Sequence, residues 1–125
     1  MKLLLVSLIA LASGTASAAQ LSAIDCLATN GVTIKGKASR GEPLRAETHW
    51  GFFRKDFIAA LSSGPEAGAI YISLTAEGGE EYTLALHAKG KARLARKAAG
   101  SILQPSIVRG AEPSLVAIVA CELSY

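Results

Sequence analysis

The chain has 125 residues, half of them hydrophobic, with 13 basic and 10 acidic side chains. A formal net charge of +3 is too small to imply a polyanion partner. Composition therefore implies no specific nucleic-acid partner, and only local clusters of charge remain to be considered.

Lys2 precedes an apolar run from Leu3 to Ala12, and small residues follow up to Ala16-Ser17-Ala18. A charged start, a short apolar stretch and an A-x-A site together form the pattern of a secretory signal peptide. Residues 1–18 are read as a removable signal, and 19–125 as a single β-rich domain exported to the periplasm or the extracellular space. The apolar run is too short to cross a bilayer of about 30 Å, and no later segment approaches the roughly 20 apolar residues of a membrane helix. The mature chain is not expected to be transmembrane. It should bury roughly 65% of its extended-chain surface, enough for a modest core.

Two cysteines in an exported chain are most simply one disulfide, Cys26 to Cys121, tying the first segment to the last. The first hairpin supports this. A Thr29-Asn30-Gly31 loop places Ala28 opposite Val32, Cys26 opposite Ile34 and Ile24 opposite Gly36, which turns Cys26 toward the core. The following "GVTIKGK", Gly31 to Lys37, matches part of a phosphate-binding loop, but Ala38 stands where Ser or Thr should hold magnesium, and its middle residues alternate as a strand.

"HWGFFRKDF", His49 to Phe57, holds Trp50, Phe52, Phe53 and Phe57. Adjacent Phe52 and Phe53 cannot both face inward on a regular strand. One reading gives these aromatics to the core. The functional reading makes Trp50, Phe52 and Phe53, flanked by Arg54 and Lys55, a partly exposed platform for a sugar or a protein loop. Residues 54–61 fit a short helix as well as a strand.

Ile70, Ile72 and Leu74 alternate with Tyr71, Ser73 and Thr75 as a half-buried strand. A two-residue turn after it would waste the apolar face. A three-residue Glu77-Gly78-Gly79 loop instead pairs Ile70 with Leu86, Ile72 with Leu84 and Leu74 with Tyr82, with Gly79 at a bulge that needs φ > 0.

Next comes the basic stretch, Lys89, Lys91, Arg93, Arg96 and Lys97. As a strand it would bury Arg96, whereas its alanines and Gly100 suit a short helix over 91–99 with a C-terminal stop. The charges form either a solvated surface or a weak, salt-labile contact with an anionic surface. In the last segment Leu115, Val119, Cys121 and Leu123 share one face and Val116 and Ile118 the other, so this strand should be central or barrel-closing.

The architecture expected is mainly β: a small antiparallel barrel or sandwich of seven or eight short strands, with one short helix allowed, closed by one disulfide. Chemical motifs are nearly absent. His49 and His87 are too few and too far apart for a metal site, and no cofactor is implied. The residues favour a non-catalytic binding or interaction module of the cell envelope or extracellular space, inhibitor-like in needing only a rigid scaffold, with an envelope protein or glycan as partner. Two alternatives remain: a small secreted hydrolase centred on His49, and a minimal outer-membrane barrel, suggested by alternation up to terminal Tyr125.

Overall fold

The structure, a computed structural model, describes residues 20–39, 41–88, 96–106, 108 and 110–125. Eight strands follow one another: β1 (Ala23–Ala28), β2 (Thr33–Lys37), β3 (Leu44–Trp50), β4 (Phe53–Ser62), β5 (Ile70–Ala76), β6 (Glu81–His87), β7 (Lys97–Gln104) and β8 (Ser114–Ser124). Each pairs antiparallel with its neighbours in sequence, and β8 pairs with β1, so the sheet closes into a barrel. Closure leaves no sheet edge unpaired.

Two-residue periodicity builds this shape by turning one apolar row from every strand toward the axis. At the end holding the start of β3 and the end of β8, Ile24, Leu44, Ile72, Leu86 and Leu123 are almost fully buried and fill the interior. Small inward residues, among them Ala46, Ala59, Ala98 and Ala117, make room for them. Gly36 and Gly100 lie so close to the neighbouring strand that a Cβ would meet a carbonyl oxygen at 2.2 Å and 1.9 Å.

Both hairpin registers expected from loop arithmetic are present. Cys26 faces Ile34 and Ile24 faces Gly36, while Ile70, Ile72 and Leu74 face Leu86, Leu84 and Tyr82. The three-residue loop is closed by Ala76 and Glu80 through a backbone hydrogen bond of 2.8 Å, and Gly79 has φ +94°. Cys26 and Cys121 stand directly opposite on β1 and β8, are bonded to each other, and are 1% and 5% exposed.

One choice left open by the sequence is resolved and two local expectations are corrected. Residues 54–61 lie within β4, because ladders with β3 and β5 use both edges of the segment. Lys97, Ala98 and Ala99 open β7 instead of ending a helix, and Gly100 is an inward strand position; residues 91–95 lie outside the described residues. Pairing with both β6 and β8 outweighs a helix propensity worth only tenths of a kcal/mol per residue. Leu115 points outward and is 60% exposed, because the register shifts at Ile102/Leu103, where Ile102 faces Ala117 and Leu103 faces Leu115.

The outer surface is charged along much of its circumference. Lys97, Glu122, Asp25, Lys35, Glu47 and Asp56 are consecutive cross-strand partners from β7 through β8 and β1 to β4, and all are exposed. The exception lies beside them, where Leu27, Leu115 and Ile118 present apolar side chains on β1 and β8.

Candidate functional site

Loops alternate between the two ends of an up-and-down barrel. The turns after β1, β3, β5 and β7 lie at one end, which we term the mouth. The chain termini and the turns after β2, β4 and β6 lie at the other. The aromatic hairpin is therefore at the mouth, whereas Lys97, which opens β7, is at the far end. Of the basic cluster, the described part does not share a surface with the aromatic hairpin.

At the mouth, β3 and β4 are joined by Gly51 and Phe52 alone, with Gly51 at φ +61°. Phe52 occupies the turn and is 105% exposed. Trp50 and Phe53 flank it as direct partners, with ring centroids 6.4 Å apart, and are 64% and 75% exposed. Their positions continue the inward rows Thr48–Ala46–Leu44 and Lys55–Phe57–Ala59, so they form a lip over the barrel axis.

Beneath the lip a cavity of about 420 Å³ enters the barrel. Its apolar wall includes Ile34, Phe57, Leu74, Ile102 and Val116. Of the five binding residues expected from sequence, Trp50, Phe53, Arg54 and Lys55 line this cavity and Phe52 does not. Sequence reading missed Thr48, Glu80 and Tyr82, which also line it. Thr48 carried a usable signal, since it shares the inward row with Trp50; Glu80 belongs to a turn and carried none.

The polar groups of the wall are linked. Lys55 donates a hydrogen bond to Glu80 Oε1, and the Tyr82 hydroxyl donates to Glu80 Oε2. The Lys55 and Tyr82 hydrogen bonds hold the Glu80 carboxyl below its ordinary pKa. The same bond to Glu80, helped by burial, pushes the Tyr82 phenol up. Glu80's contribution to stability is thus complete above its unfolded pKa and lost as pH falls through the depressed folded value. Tyr82's is complete below its unfolded pKa and lost as pH rises through the raised one. The network holds unchanged across neutral pH. Tyr82 also packs edge-on against Phe57, with centroids 5.8 Å apart. On the same wall, Thr48 Oγ1 is shut off from water and has no hydrogen-bond partner, an arrangement that is uncommon for a buried hydroxyl.

Arg54 turns its guanidinium to the outside, 3.2 Å from Glu47 and 3.3 Å from Asp56. His49 is also outside, with Nε2 3.1 Å from Glu47, and is not a cavity residue. His87 is exposed near Glu66 at 3.7 Å. Among the described residues no group of three or more His, Cys, Asp and Glu could hold a metal ion. Of the basic cluster, Arg96 and Lys97 are exposed, while Lys89, Lys91 and Arg93 lie outside the described residues. Comparison of the chain with protein-family models, with curated proteins and with solved structures finds no match.

Proposed function

We propose that this protein is an exported, non-catalytic binding module that holds a small ligand in the mouth of its barrel. One observation carries the reading: an apolar cavity of about 420 Å³ lies under two exposed aromatic rings. Eight strands enclose an interior just wide enough for side chains or one small ligand, and ligand sites are typically apolar clefts with a few polar groups. The Cys26–Cys121 bridge is consistent with the oxidising compartment that export implies. The titratable side chains Lys55, Glu80 and Tyr82 are committed to one another, which suits a rigid wall better than proton transfer.

The hydrolase alternative draws no support from His49, which sits on the convex outer face with Glu47 and away from the cavity. No helix among the described residues is long and apolar enough to cross a membrane. A membrane barrel would need an outward apolar band, and the outward partners Lys35, Glu47 and Asp56 carry charge there instead.

The test uses Nile red, an uncharged apolar dye, as the probe. One dye should bind per barrel, and Trp50→Ala or Phe53→Ala should weaken it by about 2 kcal/mol, roughly 30-fold, with the melting temperature nearly unchanged. If either truncation instead unfolds the protein, with the loss of about 3–5 kcal/mol typical of a core aromatic, the lip is structural and the reading fails. Phe52 favours a second use of the same hairpin, docking of an envelope protein or glycan, because its ring is fully exposed and off the cavity. In that case Phe52→Ala should abolish retention on immobilised envelope glycan or protein and leave Nile red binding intact.

A further inference from the structure

We infer that the mouth selects an uncharged amphiphile: an apolar body carrying one hydroxyl or carbonyl group. The inference rests on the mouth being a ligand site and concerns what that site accepts. Ile34, Phe57, Leu74 and Ile102 have no hydrogen-bonding side-chain group to offer, so this part of the wall takes the apolar body. Most polar side chains gather in one sector, where β3, β4 and the β5–β6 turn meet; outside it stands Asn30 on the β1–β2 turn, whose Oδ1 already accepts from the Val32 N–H. Within the sector Thr48 and Lys55 are direct cross-strand partners, and Glu80 and Tyr82 are bonded in series to Lys55.

The charge of this sector is already cancelled. Lys55 is paired with Glu80, and Arg54 is engaged on the outer surface by Glu47 and Asp56. A carboxylate head group would have to compete with Glu80 for Lys55, and an ammonium head group with Lys55 for Glu80. Either exchange breaks the half-exposed Lys55–Glu80 pair and leaves one member without its partner.

A hydroxyl or carbonyl requires no such exchange. An ammonium has three donors, of which Lys55 gives one to Glu80, and a carboxylate has about four acceptor sites, of which Glu80 uses two. Thr48 adds a second reason. Its Oγ1 has no partner in the protein and its side chain lines the cavity, so a χ1 step between staggered wells is the move that would offer the hydroxyl to a ligand. A ligand oxygen between Thr48 and Lys55 would then satisfy the one buried side-chain polar atom that lacks a partner among the described residues.

The test is displacement of Nile red at neutral pH by decan-1-ol, decanoate and decylammonium. On the unaltered protein, decan-1-ol should displace the dye at roughly tenfold lower concentration than either ion. Glu80→Gln keeps the side-chain shape and leaves Lys55 uncompensated, so decanoate should become the preferred competitor by a similar factor. Thr48→Val should weaken decan-1-ol several-fold while raising the melting temperature of the free protein, because the orphaned hydroxyl is gone. A purely structural Thr48 would raise the melting temperature without moving the affinity, which would remove it from the site. Equal displacement by all three head groups, or an order that Glu80→Gln leaves unchanged, overturns the selectivity and leaves the mouth as a binding site. Failure of the dye and of every competitor to bind would instead remove the mouth reading itself.

Discussion

Breaking the Cys26–Cys121 bond should lower the melting temperature by roughly 20 °C or more. The bond joins residues 95 apart, and the chain-entropy treatment of a loop that long gives about 4–5 kcal/mol. A domain of this size loses about 4–8 °C per kcal/mol. Both sulfurs are buried on the inner face of the β1–β8 ladder. Reductant alone should therefore act slowly on folded protein and fast once denaturant opens the barrel. The measurement compares thermal unfolding of protein refolded with and without reductant, after intact-mass analysis of the starting material. Free thiols in folded protein made without reductant, or equal melting temperatures in the two states, would contradict it.

Gly100→Ala should have an effect of comparable size from one methyl group. Gly100 lies between Leu86 and Val119 in the ladders of β7, and an added Cβ would come within 1.9 Å of the Ala85 carbonyl oxygen. Backbone on both sides cannot move away without opening a ladder. The loss should reach about 3 kcal/mol or more, the top of the range for overpacking. Gly36→Ala, whose Cβ would meet the Arg45 carbonyl at 2.2 Å, should behave the same way. Gly78→Ala is the control. Its Cβ would meet nothing within 4 Å, so urea unfolding should show a change of no more than about 0.5 kcal/mol. A Gly100→Ala midpoint equal to that of Gly78→Ala would show that the β6–β7 approach is not tight in solution.

The parts of this fold that could be read in advance are those where a short loop joins two strands of strong alternation. There, loop length fixes which residues meet, and only one length keeps Ile70, Ile72 and Leu74 opposite apolar partners. Cys26 could be turned inward by the same reasoning. The basic stretch could not be placed, because helix propensity is a local property and the ladders that hold its end, β8 along Lys97 to Ala99 and β6 at Ala99, are not. Leu115 defeated strict alternation because one shifted register at Ile102/Leu103 changes every facing assignment beyond it.

The binding site was legible to a lesser degree. The aromatic cluster stood out, and Phe52 and Phe53 had to part ways for steric reasons. The cavity below them depends on curvature and closure, which bring Glu80 to Lys55 across 25 residues. No short window of sequence contains that juxtaposition.

Seven of the eight ladders join strands that are neighbours in sequence, and one joins the first strand to the last. During synthesis the hairpins can therefore form in turn, each with a small loop to close. β1 waits longest for its second partner, residues 114–124, holding one open edge that carries Leu27 and Cys26. Until the last strand arrives, that edge can pair with the wrong chain, and Cys26 can find the wrong thiol. Helpers that shield a nascent sheet or reshuffle disulfides should therefore act on this protein in the interval between β7 and β8. A chain truncated before Ser114 should be the form that aggregates.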